Sequence, residues 1–216
     1  MSIARNLSII QDRIRRACDS VNRDPAEITL IAVTKTVSAD DIKLAYDLGH
    51  RCFGESRLQE AQPKIEQLPN DIDWHFIGHL QSNKAKKVTQ LFDCIHTLDS
   101  EAQLKEIVKA NREIRAFIEV NIAEEMQKAG ILTESLDEFA ATVLHYPQVH
   151  LAGLMTIGPA TDDLAVTRKC FRELKSHSRR LGLSKLSMGM SGDFEVAIQE
   201  GATHIRVGSA IFGSRN

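Results

Sequence analysis

A closed α/β barrel of eight parallel strands, preceded by one extra helix, is the architecture this sequence predicts. Three observations predict it. Short apolar runs alternate with amphipathic stretches from residue 28 to the end, and such alternation returns the chain to the same sheet end each time, so the strands run parallel. The units number eight, which exceeds the usual open doubly wound sheet and matches a (β/α)8 barrel of the TIM type. The length of 216 residues fits one small barrel with little left over. No Pro/Gly/Ser-rich linker and no repeat divides the chain, so residues 1–216 are expected to form a single domain.

The first element is helical. Ile3, Leu7, Ile10, Ile14, Ala17 and Val21 recur at helical spacing among charged residues, giving one apolar stripe. Arg23-Asp24-Pro25 breaks that helix. It is expected either to cap the barrel bottom or to pair with another copy. Strands are then expected over 28–34, 51–54, 73–77, 94–96, 116–121, 150–154, 185–187 and 204–207. Helices are expected over 39–49, 56–67, 81–91, 100–110, 133–145, 161–181 and 192–200.

Composition narrows the function classes. Hydrophobic residues are 43% and charged residues 26%, as in a soluble globular protein. A formal net charge of −2 gives no global positive field to recruit nucleic acid or acidic membrane. The dense basic run of Lys84, Lys86 and Lys87 reads as a solvated helix face. Cys18, Cys52, Cys94 and Cys170 are scattered without a C-x-x-C pair, which argues for free thiols in a reducing compartment. No apolar run approaches ~18 residues, and the first twenty residues lack the apolar stretch of a secretion signal. A cytoplasmic monomer is expected.

In such a barrel the functional face is the carboxyl end of the strands. The polar residues expected there are Lys35, Glu55, Ser56, His79, Asn121, Thr156, Ser187, Ser191, Arg206 and Ser209. Lys35 follows the apolar run Ile28-Thr29-Leu30-Ile31-Ala32-Val33. An ammonium beside a buried strand is costly, and a desolvated lysine offers the neutral amine that condenses with an aldehyde. The alternative is a lysine snorkelling into water. Arg206 lies between Ile205 and Val207; if those two face the helices, Arg206 points into the barrel. The first and last strands of a closed barrel are neighbours, so Lys35 and Arg206 meet at one rim. Two inward cations repel unless an anion joins them, or unless Arg206 pairs with Glu119 or Glu55. The segments after the last two strands supply an anion site: Ser187-Met188-Gly189-Met190-Ser191-Gly192-Asp193 and Gly208-Ser209-Ala210-Ile211-Phe212-Gly213. Both are rich in small residues that let backbone N–H groups approach an anion. His75 and His79 have H-x3-H spacing but straddle a strand end, with no cysteine or acidic triad to complete a metal site. No metal is expected.

These stretches resemble the pyridoxal phosphate homeostasis protein family, single-domain relatives of the alanine racemase barrel domain. The match runs through Ile31-Ala32-Val33-Thr34-Lys35-Thr36, Phe53-Gly54-Glu55, residues 74–84 from Trp74 to Lys84, Gly153-Leu154-Met155-Thr156, residues 187–194 and Arg206-Val207-Gly208-Ser209-Ala210-Ile211-Phe212-Gly213. The resemblance implies pyridoxal 5′-phosphate as cofactor, with an internal aldimine on Lys35. It places the phosphate on Ser191, Gly192, Gly208 and Ser209 and sets Arg206 against the pyridine nitrogen. His79 and Met155 join the expected cofactor-facing set. This chain has Ser56-Arg57 where the family usually has Asn-Tyr.

The implied function is a carrier or buffer of the cofactor that regulates vitamin B6 and amino-acid pools, without fast catalysis. An arginine donating to the ring nitrogen disfavours the protonation that makes the ring an electron sink. Racemisation also needs a second acid/base on the opposite face. In the racemase relatives a tyrosine from an additional domain of the partner subunit supplies it. Here Tyr46 and Tyr146 fall where neither reaches the cofactor. The competing readings are a Schiff-base enzyme such as a class I aldolase or lyase, a slow amino-acid racemase, and a scaffold whose cofactor modulates a partner. Cofactor-dependent acceptor enzymes are the expected protein partners.

Overall fold

The structure, a computed structural model, describes residues 2–122 and 129–213. Its strands are β1 (Thr29–Val33), β2 (Cys52–Glu55), β3 (Asp73–Phe76), β4 (Cys94–Leu98), β5 (Ile114–Asn121), β6 (Ile131–Leu132), β7 (Val149–Met155), β8 (Lys185–Ser187) and β9 (His204–Val207). The sheet runs β4-β3-β2-β1-β9-β8-β7-β5, and β4 also pairs with β5, so eight strands close. β6 is an extra two-residue strand that runs parallel to the end of β5. The closure predicted between the first and last strands is present: Ile31 pairs with Arg206 and Ala32 with Val207.

The helices are α1 (Ile3–Asp19), α2 (Ala39–Asp47), α3 (Leu58–Gln67), α4 (Ser82–Leu91), α5 (Glu101–Ile107), α6 (Leu136–Val143), α7 (Leu164–Arg180), α8 (Phe194–Glu200) and α9 (Ser209–Phe212). Five agree with expectation to within a few residues at each end. The stretches expected at 100–110 and 133–145 are shorter α-helices flanked by 3-10 turns, Val108–Ala110 and Thr133–Ser135. α9, four residues long, is too short to cover the seam of β9 and β1. α1 does this instead, packing beside α8 and α9. Asn6 Nδ2 donates to the Ile211 carbonyl (2.7 Å), and Arg13 forms two 3.0 Å bonds to Glu195 while lying 4.5 Å from the Phe194 ring centroid. Leu7, Ile10, Ile14, Ala17 and Cys18 are its buried stripe. The helix therefore belongs to the outer ring, and neither caps the barrel bottom nor stands free.

Strand alternation sorts the interior. Trp74, Phe76, Ile95, Ile118, Leu154, Ile205 and Val207 face outward into one large apolar core shared with the helices. The other set points into the barrel, where Cys94, Phe117 and Met155 form a small separate cluster. The interior is otherwise unusually polar, holding His75, His96, Ser187 and Arg206, all buried. Among the described residues no helix is long and apolar enough to cross a membrane.

Candidate functional site at the carboxyl end of the barrel

Lys35 sits in the turn that follows β1, half-buried. Several contacts fix that turn. Thr34 donates its hydroxyl to Glu55 Oε1 (2.8 Å). Lys64, from α3, donates to both the Thr34 carbonyl (2.8 Å) and Glu55 Oε1 (2.7 Å). Thr36 adopts φ 65°, a left-handed conformation that is strained for a β-branched residue, and its backbone N–H bonds the Glu60 carboxylate. Glu55 is fully buried, so this ion pair is the structural base of the lysine turn, and it leaves Glu55 committed away from Arg206.

Lys35 lines a cavity of about 670 Å³ together with Ser56, Ser191, Gly192, Arg206, Gly208 and Ser209. The two glycine- and serine-rich segments thus converge on the lysine, as the sequence implies. Gly189, at φ 92°, makes the sharp turn out of β8; a Cβ there would stand 2.5 Å from that of Ala197, so only glycine lets α8 approach. Ser209 and Ala210 open α9, and first-turn N–H groups have no acceptor within their own helix. Asp41, Ile157 and Met190 also line the cavity. Sequence reasoning missed these three; Ile157 and Met190 are exposed apolar side chains whose only signal is that they directly follow or join matched segments.

Two expected site residues are not brought to this cavity. His79 lines a smaller one, about 190 Å³, with Thr97, Glu119, Asn121 and Thr156; the two cavities share Ile77 and Ile157. Met155 is buried in the barrel interior against Cys94 and Phe117. Glu119 is buried, and its Oε2 has no hydrogen-bond partner. Burial, with Asp99 nearby and only partial relief from Arg206, raises its carboxyl to about 7. Ser56 reaches the main cavity, whereas Arg57 is exposed and pairs with Glu60.

Arg206 does point into the barrel. It forms neither of the ion pairs considered from sequence: Nη1 donates to Ser187 Oγ (2.6 Å) and Nη2 to the Thr156 carbonyl (3.1 Å). Burial lowers its guanidinium to about 10, against the pull of Glu119 and Asp193, so it stays charged at neutral pH. Behind it a chain of polar contacts descends the barrel axis. Ser187 Oγ lies 2.8 Å from His96 Nδ1, His96 Nε2 lies 2.7 Å from His75 Nδ1, and His75 Nε2 lies 3.2 Å from Asp73 Oδ2. With one proton on each ring, the acceptor-only carboxylate at the far end sets the direction of the chain. Ser187 donates to His96 Nδ1, His96 Nε2–H to His75 Nδ1, and His75 Nε2–H to Asp73. Burial and the neighbouring cations hold His96 well below the ordinary histidine range, consistent with a neutral ring.

The two tyrosine hydroxyls are engaged elsewhere, Tyr46 with Asp71 and Tyr146 with Glu101, and neither lines a cavity with Lys35.

Residues 5–216 match the family model described as the alanine racemase N-terminal domain. The chain is 38% identical over 227 aligned residues to the pyridoxal phosphate homeostasis protein of Pseudomonas aeruginosa, covering 100% of this chain and 96% of that relative. It is 40% identical to the Escherichia coli protein of the same name, covering 99% and 97%. Among solved structures it resembles PipY of Synechococcus elongatus with pyridoxal phosphate bound, at a TM-score of 0.84 and 34% identity, covering 98% of this chain and 100% of that one. Alanine racemase of Corynebacterium glutamicum has a TM-score of 0.72 at 15% identity, covering 99% of this chain and 60% of the enzyme, a likeness of fold alone. With full-length matches of this identity, the chain belongs to the pyridoxal phosphate homeostasis protein family.

Proposed function

We propose that this protein binds pyridoxal 5′-phosphate at the carboxyl end of the barrel and carries or buffers it, regulating vitamin B6 and amino-acid pools. The single observation that carries the reading is convergence. An amine, a guanidinium and two glycine/serine loops line one cavity of about 670 Å³, within the range of small-ligand sites. These groups fit the cofactor: Lys35 is the covalent attachment point for its aldehyde, Ser191, Gly192, Gly208 and Ser209 receive the phosphate, and Arg206 faces the ring nitrogen. His79 and Met155 support the site from the adjoining cavity and from beneath. Residues 1–216 act as one domain, as a cytoplasmic monomer, with cofactor-dependent enzymes as acceptors.

When bound, this cofactor supplies an electron sink through its protonated ring. Arg206 cannot accept a proton and repels one from the atom it faces, so fast catalysis is not expected. A slow lyase or racemase is the second reading, and one observation favours it. Glu119, raised to about 7, stands ready to exchange a proton beside the main cavity. A chiral assay at high protein concentration separates the two.

Replacing Lys35 by Ala tests the first reading. The wild type mixed with pyridoxal phosphate should turn yellow and retain the colour through gel filtration; Lys35→Ala should not. Undiminished colour in the variant would overturn the assignment.

A further inference from the structure

At the opposite end of the barrel, β2 and β3 place Cys52 directly across from Asp73. His75, two residues on, turns its Nε2 towards both: Cys52 Sγ is 3.1 Å away and Asp73 Oδ2 is 3.2 Å away. The three ligand atoms lie within 4.8 Å of one another. We propose that this floor of the barrel is a binding site for a thiophilic divalent cation of the zinc type, held by Cys52, Asp73 and His75.

The spacing suits it. Around tetrahedral zinc, bonds of about 2.3 Å to sulfur and about 2.0 Å to nitrogen and oxygen set neighbouring donors roughly 3.3–3.6 Å apart. The two measured edges fall within about half an ångström of that. The donors are also supported as metal ligands usually are, by partners that orient them. Arg115 bonds the other oxygen of Asp73, and His96 bonds the far nitrogen of His75. A solvent-facing cavity of about 410 Å³ is lined by Asp73 and Arg115 and opens the carboxylate edge of the site to solvent. A thiolate, an imidazole and a carboxylate select zinc over magnesium or calcium. Arg115 is a like charge nearby, and the carboxylate and thiolate offset it.

Protons balance as follows. Cys52 gives up its thiol proton to solvent as the metal–sulfur bond forms. His75 must present a bare Nε2, so it carries its proton on Nδ1 and donates to His96 Nε2; His96 then donates from Nδ1 to Ser187 Oγ. The polar chain reverses its direction, each ring keeps one proton, Ser187 Oγ accepts from both His96 and Arg206 on its two lone pairs, and one proton is released overall.

The test uses the full chain, stripped of metal by a chelator and free of pyridoxal phosphate, titrated with Co²⁺ and then Zn²⁺. The expected result is one equivalent of cobalt with a thiolate charge-transfer band, displaced by zinc. Cys52→Ser and Asp73→Asn should each weaken binding by more than about tenfold. Lys35→Ala should bind as the wild type does, so loss of the cofactor reading would leave this result intact. In the unmutated protein, zinc should also shield Cys52 from iodoacetamide, read by peptide mapping, which covers variants that fail to fold. Absence of one-equivalent binding, a charge-transfer band that survives in Cys52→Ser, or equal alkylation of Cys52 with and without zinc would each overturn the proposal.

Discussion

The two ends of this barrel treat polar side chains in opposite ways. At the carboxyl end Lys35, Ser191 and Ser209 line an open cavity and face what enters it. Below, in the interior, Ser187, His96, His75 and Asp73 are joined to one another from Arg206 downwards. Groups at the mouth are held in place by others behind them; groups in the interior complete each other. Losing a group of the first kind should cost binding with little stability, and losing one of the second kind should cost stability outright. A buried donor or acceptor left alone keeps its full desolvation penalty, whereas a half-exposed one is repaired by water.

The largest expected effect follows from the fully buried His96. His96→Ala leaves Ser187 and His75 without their partners and opens a void stacked against Phe117, whose ring lies 4.5 Å away. Denaturant unfolding should show a loss of about 3–5 kcal/mol. Ser191→Ala, at the half-exposed mouth, should shift the same midpoint by under about 0.5 kcal/mol. Equal losses at the two positions would break the comparison.

Glu119 lies between the two regimes, buried yet unmatched at Oε2. Its folded carboxyl is raised to about 7 from an ordinary 4.5, so the folded state binds the proton more tightly. The stability this contributes is fully present below pH 4.5 and is lost as pH rises towards 7, then levels off. His204, lowered to about 3 by burial and by neighbouring cations, acts in the opposite sense over part of that window, so the difference between proteins is the informative quantity. Relative to Glu119→Gln, the wild type should lose up to about 3 kcal/mol between pH 4.5 and 7. A flat difference would place Glu119 among the matched groups.

The smallest effect belongs to the outer surface. Arg180 and Asp137 pair across α7 and α6 with side chains 45% and 58% exposed. Arg180→Ala should change stability by less than about 0.5 kcal/mol, within the scatter of exposed ion pairs.

The closure of the barrel, the meeting of Lys35 with Arg206 and the two loops beside them were legible because each follows from strand order and period-two alternation. Those properties are local or topological. What the sequence hid depends on register between strands. Cys52, Asp73 and His75 come from two strands, and nothing in their spacing says that one thiol, one acid and one ring meet. The same holds for the His75–His96–Ser187 chain, assembled from β3, β4 and β8. Lys64 reaches Glu55 from a helix surface that reads as solvated. His79 and Met155 belong to matched segments, but the first turns towards a neighbouring cavity and the second packs inward. α1 could be read as amphipathic but not placed, because the gap it fills exists only because α9 stops after four residues.

The most direct measurement is to reduce the mixture of protein and pyridoxal phosphate with borohydride and map the modified peptide by mass spectrometry. A pyridoxyl mass confined to Lys35 is the predicted result. A mass spread over surface lysines such as Lys84, Lys86 and Lys87, with Lys35 unmodified, would contradict it.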